Sequence, residues 1–427
     1  MSTSRTFAEK SLGTLRRKGF DAAQVHLVAS ERHELEAEFG RPSLLRTNHN
    51  ATLDLAGITD GKRGAVTLNR LTDEALDEAV EELWAVASSA PADPANAIAP
   101  AQPANTFSRG PEAPDPDLMY ERLAGLLDHA ARAYPTLTVR QATIEFVAAT
   151  ETFLNSNGVD FTARRNRHTV QSMFSAREGE RVSSFNYTAF TRETLDEPLE
   201  RCATLNALMR QATEQVHTER IPGKFTGDLL ITPDCLVDFL SFLLQSVSDG
   251  PLIAGTSVYK GKLGEFVAAP AVSLHSCPRA VPSGYFVTND GFEAHDATIL
   301  QGGQLTSYLL DLYGANKTGF ARAATGGGCW VVDPGSADLE AMVSGIDRGI
   351  LITRFSGGRP NDRGDFSGIA KNSYYIENGK VRYPVSETMI SGNLAALLEN
   401  VQSVSAERAD FGSRILPWVH ASGIVVS

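Results

Sequence analysis

The spacing of apolar and polar positions divides the chain into an N-terminal alternation of helices and strands and a C-terminal half dominated by strands. Residues 7–19 show helical periodicity that stops at Gly19. "AQVHLVASERHELEAEFG" alternates as two strands, and "ATLDLAGITDGKRGAVTLN" predicts a hairpin around Asp60-Gly61. "TDEALDEAVEELWAVASSA" predicts a helix capped by Thr72, with Leu76, Val80, Leu83 and Val86 on one face. Seven of the 20 prolines fall between Pro91 and Pro116, so about 88–116 reads as an extended connector with little packing of its own. A helix over "DLMYERLAGLLDHAARAY", a strand-rich block and a helix around Leu195–Val216 come next.

From about Phe225 the pattern changes. "GDLLITPD" predicts a buried strand, and "CLVDFLSFLLQSVSD" is apolar nearly all round, which predicts a buried helix. Strands then run to the end. "ATILQGGQLTSYLLD" turns on Gly302-Gly303, and "NSYYIENGKVRYPV" on Asn378-Gly379, pairing Ile376 with Val381 and Tyr374 with Tyr383. The expected fold class is α+β. An N-terminal domain, 1–224, repeats its element order as an internal duplication, and a β-rich C-terminal domain, 225–427, holds one buried helix.

Composition narrows the function classes. A chain that is 42% hydrophobic and 21% charged is ordinary for a folded globular protein. The formal charge of -12 repels phosphate backbones, so no nucleic-acid partner is expected. The basic cluster Arg164, Arg165, Arg167 and His168 reads as a solvated strand face or turn. No apolar run reaches membrane-spanning length, no apolar leader is seen, and four cysteines without a CxxC pair form no disulfide framework. These features fit a cytoplasmic location with no membrane partner.

Motifs for catalysis are sparse. There is no GxGxxG after a strand, no GxxxxGK[ST] and no GxSxG. "TGGGCW" at 325–330 reads as a tight turn rather than a phosphate cradle. His33-Glu34 lacks a second histidine one helical turn on, and His275 with Cys277 makes two ligands where zinc needs at least three.

The stretch 364–393, "GDFSGIAKNSYYIENGKVRYPVSETMISGN", closely resembles the C-terminal signature of the TldD/PmbA family. "GGQLTSYLLDLYGANKTG" and "GTSVYKGKLGEFVAAP" resemble two further shared segments. The resemblance implies zinc held by TldD-type members through His-Glu-x-x-x-His on the buried helix and a Cys near the C-terminus. Here that helix has neither His nor Glu, and Phe411–Ser427 has no Cys, so the chain resembles the PmbA/TldE type.

The resemblance therefore implies a subunit without metal ligands or catalytic residues of its own. It would pair with a TldD-type partner that carries the zinc, in a peptidase that degrades unfolded peptides or trims leader peptides of ribosomal peptide natural products. An extended peptide bound along its backbone wants a sheet edge, and Ser373, Tyr374, Tyr375 and Ile376 are the expected contacts. Two readings stand beside this one. The chain is a homodimeric peptide-binding or assembly protein without proteolysis, or an enzyme with a site of another kind.

Overall fold

The computed structural model describes residues 2–386 and 388–427. The N-terminal half runs α1 (Ser2–Lys18), β1 (Ala22–Glu38), β2 (Arg41–Thr59), β3 (Lys62–Leu68), α2 (Asp73–Ser89), β4 (Asn105–Arg109), α3 (Pro116–Ala133), β5 (Leu137–Asn155), β6 (Asp160–Glu178), β7 (Arg181–Val182), β8 (Asn186–Arg192) and α4 (Leu205–Glu214). Its strands form one sheet, ordered β3-β2-β1-β5-β6-β4, with β7 and β8 also on β6. The central pair, β1 with β5, is antiparallel from Gln24↔Asn155 to Glu38↔Gln141. The order helix, strands, helix occurs twice, once from α1 to α2 and once from α3 to α4.

Several local expectations change here. The segment expected as two strands is the single long β1. The helix expected over Leu195–Val216 is a short 3-10 turn at Leu199–Arg201 followed by α4, with Ala203 between them at φ 50°. Val86 on α2 is exposed, and Ala87 takes its place in the core; Thr72 caps the helix through Ala75 N–H. The proline-rich segment is more than a connector. Extended backbone can still accept a partner, and β4 lies parallel to β6 while Ile98 and Ala99 are buried. The arginine cluster is not a solvated face: Arg165 donates to Gly284 O across the two halves, His168 is buried, and burial pulls the Arg167 pKa down.

The C-terminal half runs β9 (Phe225–Ile231), α5 (Pro233–Ser246), α6 (Asp249–Ala254), β10 (Leu274–Ser276), β11 (Ala297–Gln301), β12 (Gln304–Leu305), α7 (Leu312–Thr318), β13 (Trp330–Val332), α8 (Leu339–Ser344), β14 (Arg348–Ile352), β15 (Arg354–Gly357), β16 (Asp365–Lys371), β17 (Tyr374–Glu377), β18 (Lys380–Pro384), β19 (Thr388–Asn393), α9 (Leu394–Glu399), β20 (Val401–Asp410) and β21 (Ile415–Val426). All its strands join a second sheet, ordered β12-β11-β10-β13-β21-β9-β14-β17-β18, with β20, β19, β16 and β15 branching from β21. The fold is α+β, with one sheet drawn from each half.

The larger core lies under α5. Leu236, Phe239, Leu240 and Leu243 of this helix pack among Leu229 and Ile231 of β9, Ile350 and Ile352 of β14, and Leu397 and Leu398 of α9. The helix is apolar nearly all round because strands and α9 meet it from several sides. Asn378 (φ 50°) and Gly379 (φ 68°) make the two-residue turn between β17 and β18. Ile376 pairs with Val381, but a bulge between Tyr375 and Ile376 shifts the ladder, so Tyr383 faces Tyr375 and Tyr374 faces Pro384.

Candidate functional site

The signature stretch 364–393 closes on itself. Asp365, first in β16, pairs with Asn393, last in β19. Asn393 Nδ2 donates to Asp365 Oδ1 (2.9 Å) and to Arg363 O (2.8 Å), while its Oδ1 caps α9 by accepting from Ala395 and Ala396 N–H. These bonds, with one from Asn361, hold the Asp365 pKa below its ordinary value. Gly364, at φ 90°, accepts from Leu394 N–H (2.8 Å) and sits where a Cβ would meet the Phe242 ring at 2.9 Å.

Beside this unit a groove of about 350 Å³ opens between α5 and β15. Its floor is a trio of rings: Phe239 meets Phe355 at 5.7 Å and Phe366 at 5.7 Å, and Phe355 meets Phe366 at 5.6 Å. Gly357 and Gly368, paired across β15 and β16, leave room for the Phe355 ring, which a Cβ at either position would meet at 2.5 Å. β15 bonds to β16 alone among the described residues, and its Ser356 and Gly357 are exposed. The groove therefore couples an apolar floor to an open strand edge.

The first two turns of α5 carry Asp234, Cys235 and Asp238. Burial raises the Asp234 and Asp238 pKa values against the pull of Arg354 and Arg414. Asp234 Oδ1 accepts from Thr204 Oγ1 (2.8 Å). Arg354 donates through Nε to Asn186 Oδ1 (3.1 Å) and stacks 4.0 Å over the Tyr187 ring. Arg414 lies 4.5 Å over Phe411. Burial keeps the Cys235 thiol well above its ordinary pKa.

This donor set does not suit zinc. The metal wants neutral imidazole, thiolate or carboxylate donors converging from three or more side chains. Here the thiol is sealed in the core, and the guanidinium groups of Arg354 and Arg414, close enough to act on both carboxylates, would repel a cation. Among the described residues no three His, Cys, Asp or Glu converge in a metal-binding geometry. His275 instead bonds Thr298 and Asp333, His33 bonds Glu31 and Thr47, and His420 bonds Asp228.

The four expected peptide contacts are interior. Ser373, Tyr374, Tyr375 and Ile376 are all buried, and β17 is hydrogen-bonded on both sides, to β14 and β18. Their polar groups have work inside the chain. Ser373 O accepts from Gln215 Nε2 (3.0 Å), Tyr374 donates to Glu214, and Arg348 Nε donates to Tyr375 Oη (2.9 Å). An open edge beside an apolar groove lies at β15 instead, where the sequence reading placed no site. Its cue in the chain is the glycine-flanked run "RFSGGRP".

A second, polar cavity of about 260 Å³ lies at the seam of the two halves, among Gln24, Asp249, Asp290, Asp311, Arg322 and Thr325. Arg322 is paired to Asp290 (2.7 Å) and stacked 3.7 Å over Phe292. Burial and the adjacent Asp311 push the Asp249 pKa up to about 6.

Comparison with known proteins gives this architecture its class. Residues 223–427 match the model of the PmbA/TldA metallopeptidase C-terminal domain. The chain is 27% identical to the metalloprotease PmbA homolog of Haemophilus influenzae, over 84% of this chain and 81% of that one. It is 22% identical to metalloprotease PmbA of Escherichia coli O157:H7, over 94% and 92%. The fold is that of the crystal structure of TldE from Thermococcus kodakarensis, with a TM-score of 0.83 at 20% identity, covering 99% of this chain and all of that one. Residues 223–427 are thus a C-terminal domain of the TldD/PmbA family, and the similarity to PmbA metalloproteases runs along most of the chain.

Proposed function

We propose that this chain is the subunit without metal ligands in a two-component, TldD-type zinc peptidase that acts on extended peptides. The observation that carries the reading is α5. Where the family's zinc-binding members would place His-Glu-x-x-x-His, this helix presents Asp234, Cys235 and Asp238 beside two arginines. The zinc then belongs to the partner subunit, and this chain contributes binding surface. The metalloprotease names of its relatives and the TldE-like fold support the same assignment.

The groove at α5 supports a peptide-binding share in that work. An extended peptide adds to an open strand edge through main-chain hydrogen bonds, which ignore side-chain identity. The β15 edge offers such bonds, and the rings of Phe239, Phe355 and Phe366 offer apolar surface below it. A partner subunit over this face would also cover an edge that is otherwise prone to aggregation.

The test is co-expression with a TldD-type subunit, followed by peptide cleavage with and without chelator. Cleavage that needs both chains and is abolished by chelator is the expected result, with an interface on the order of 2,000 Å² or more. A chain that stays monomeric by light scattering with the partner present, or a partner that cleaves at full rate alone, would overturn it.

A further inference from the structure

Cys277 and Cys329 lie away from the groove and take no part in the function proposed above. They lie one residue beyond the paired ends of two antiparallel strands, β10 and β13. Leu274 pairs with Val332, His275 with Val331 and Ser276 with Trp330. The next pair in that register is Cys277 with Cys329, joined by Cys277 N–H donating to Cys329 O (2.9 Å). Facing residues of an antiparallel ladder have Cα atoms about 4.5–5.5 Å apart, and the one backbone bond here keeps this pair close to that spacing, inside the range of roughly 4.4–6.8 Å that disulfides span.

Three more features distinguish this pair. Both thiols are half-buried and within reach of solvent, whereas Cys202 and Cys235 are buried. Cys329 holds φ 51°, in the region that favours glycine, at the end of a turn through Gly327 (φ 81°) and Gly328 (φ 72°). That turn is fixed from two sides, with Tyr285 Oη donating to Gly327 O (2.7 Å) and Ser276 Oγ to Gly328 O (2.8 Å). The cysteines are thus held opposite each other by a rigid frame. Thr325 and Gly326 of the same turn form one wall of the seam cavity.

We propose that Cys277 and Cys329 are a redox modification site, closed into an intrachain disulfide by a low-molecular-weight disulfide such as oxidised glutathione. In the first step the more exposed Cys277 loses its proton, attacks one glutathione sulfur and expels the other as a thiol. In the second, Cys329 loses its proton, attacks the Cys277 sulfur and expels the second glutathione. The two cysteines together give up two electrons, and one glutathione disulfide becomes two thiols. The bond ties β10 to the turn before β13 and so fixes one wall of the seam cavity.

The surroundings set the rate. Burial, with Asp296 and Asp333 nearby, pushes the Cys277 thiol up to about 11. Burial and Cys277, opposed by Arg109 and Arg165, hold Cys329 at about 11 as well, with Asp296 adding to the rise. Only the thiolate attacks, so closure is slow at neutral pH and quickens roughly tenfold per pH unit below that value.

The experiment treats the reduced full-length chain with oxidised glutathione at about pH 7 and about pH 9, alkylates it after unfolding, and maps the peptides by mass spectrometry. The expected result is loss of two alkylatable thiols, faster at the higher pH. A cross-linked Cys277–Cys329 peptide should appear, Cys202 and Cys235 should remain alkylated, and dithiothreitol should reverse the change. Cys277→Ser and Cys329→Ser should each abolish the cross-link and leave one glutathione adduct on the remaining thiol. Stable adducts on both cysteines of the unmutated chain, a cross-link to Cys202 or Cys235, or four free thiols after treatment at about pH 9 would each overturn the proposal.

Discussion

Replacing Gly379 with valine tests how firmly the β17–β18 turn is built into the C-terminal sheet. Gly379 sits at φ 68°, where a residue with a Cβ costs about 1–2 kcal/mol, and a β-branched one is at the high end. The site is also closed to a side chain. A Cβ would stand 2.8 Å from Ser344 O and 3.1 Å from Ser344 Cα, both backbone atoms at the end of α8. The turn cannot simply swing away, because Gly379 N–H donates to Ile346 O (2.9 Å) and Asn378 N–H to Asp347 O (2.7 Å). Overpacking of this kind costs about 1–3 kcal/mol, so the sum is roughly 2–5 kcal/mol. Urea unfolding monitored by tryptophan fluorescence reads this directly, since Trp418 packs against the cluster of Met342, Ile346 and Ile376 next to the turn. Gly379→Ala should fall between valine and the unmutated chain, and Asn378→Gly should be neutral or slightly stabilising. A Gly379→Val chain within about 0.5 kcal/mol of the unmutated one would refute the reasoning. Because the turn is anchored to α8 and not to the groove, the folded fraction of this variant should still support cleavage with a partner.

Asp249 has a higher pKa folded, about 6, than in an unfolded chain, so its contribution to stability is full at low pH and is lost as pH rises through about 6; Asp249→Asn should flatten that part of the stability–pH curve in urea titrations, and an unchanged curve would contradict the assignment. Tyr374→Phe removes a hydrogen bond to Glu214 and should cost about 1–3 kcal/mol in unfolding experiments, while leaving peptide cleavage by the two-component complex unchanged; a selective loss of cleavage would return Tyr374 to the substrate. Elemental analysis of the chain purified alone should find no stoichiometric zinc, and one tightly held zinc per chain would contradict the reading of α5.

Much of the fold was legible where local chemistry decides the outcome. Asp60-Gly61, Gly302-Gly303 and Asn378-Gly379 all turn as their sequences predict, since each supplies residues that tolerate positive φ. The buried helix α5 was visible because it is apolar nearly all round. What the sequence hid was decided by distant neighbours. The bulge at Tyr375 shifts the hairpin register, and nothing in "YYIENGKVRY" marks it. The proline-rich segment gains a strand only because one side of β6 is open to it. The same holds for the candidate site. Ser373–Ile376 look like an accessible strand until β14 covers the second side, and the open edge at β15 exists only because no described strand lies there.

The position of β21 bears on how the molecule can be assembled during synthesis. This strand bonds to β9, β13, β19 and β20, and among the described residues it is the only strand paired with β20. Ala409 and Phe411, at the end of β20, also complete the core beneath the N-terminal sheet, and Thr191 N–H donates to Phe411 O (2.8 Å). Until residues near 426 have left the ribosome, the second sheet lacks its centre and the first lacks part of its floor. Until then the nascent chain carries unpaired strands and apolar surface, a state that invites self-association and favours capture by holding chaperones. A premature stop that removes β21 would prolong that state indefinitely, so such products should be cleared rather than accumulate as partly working protein.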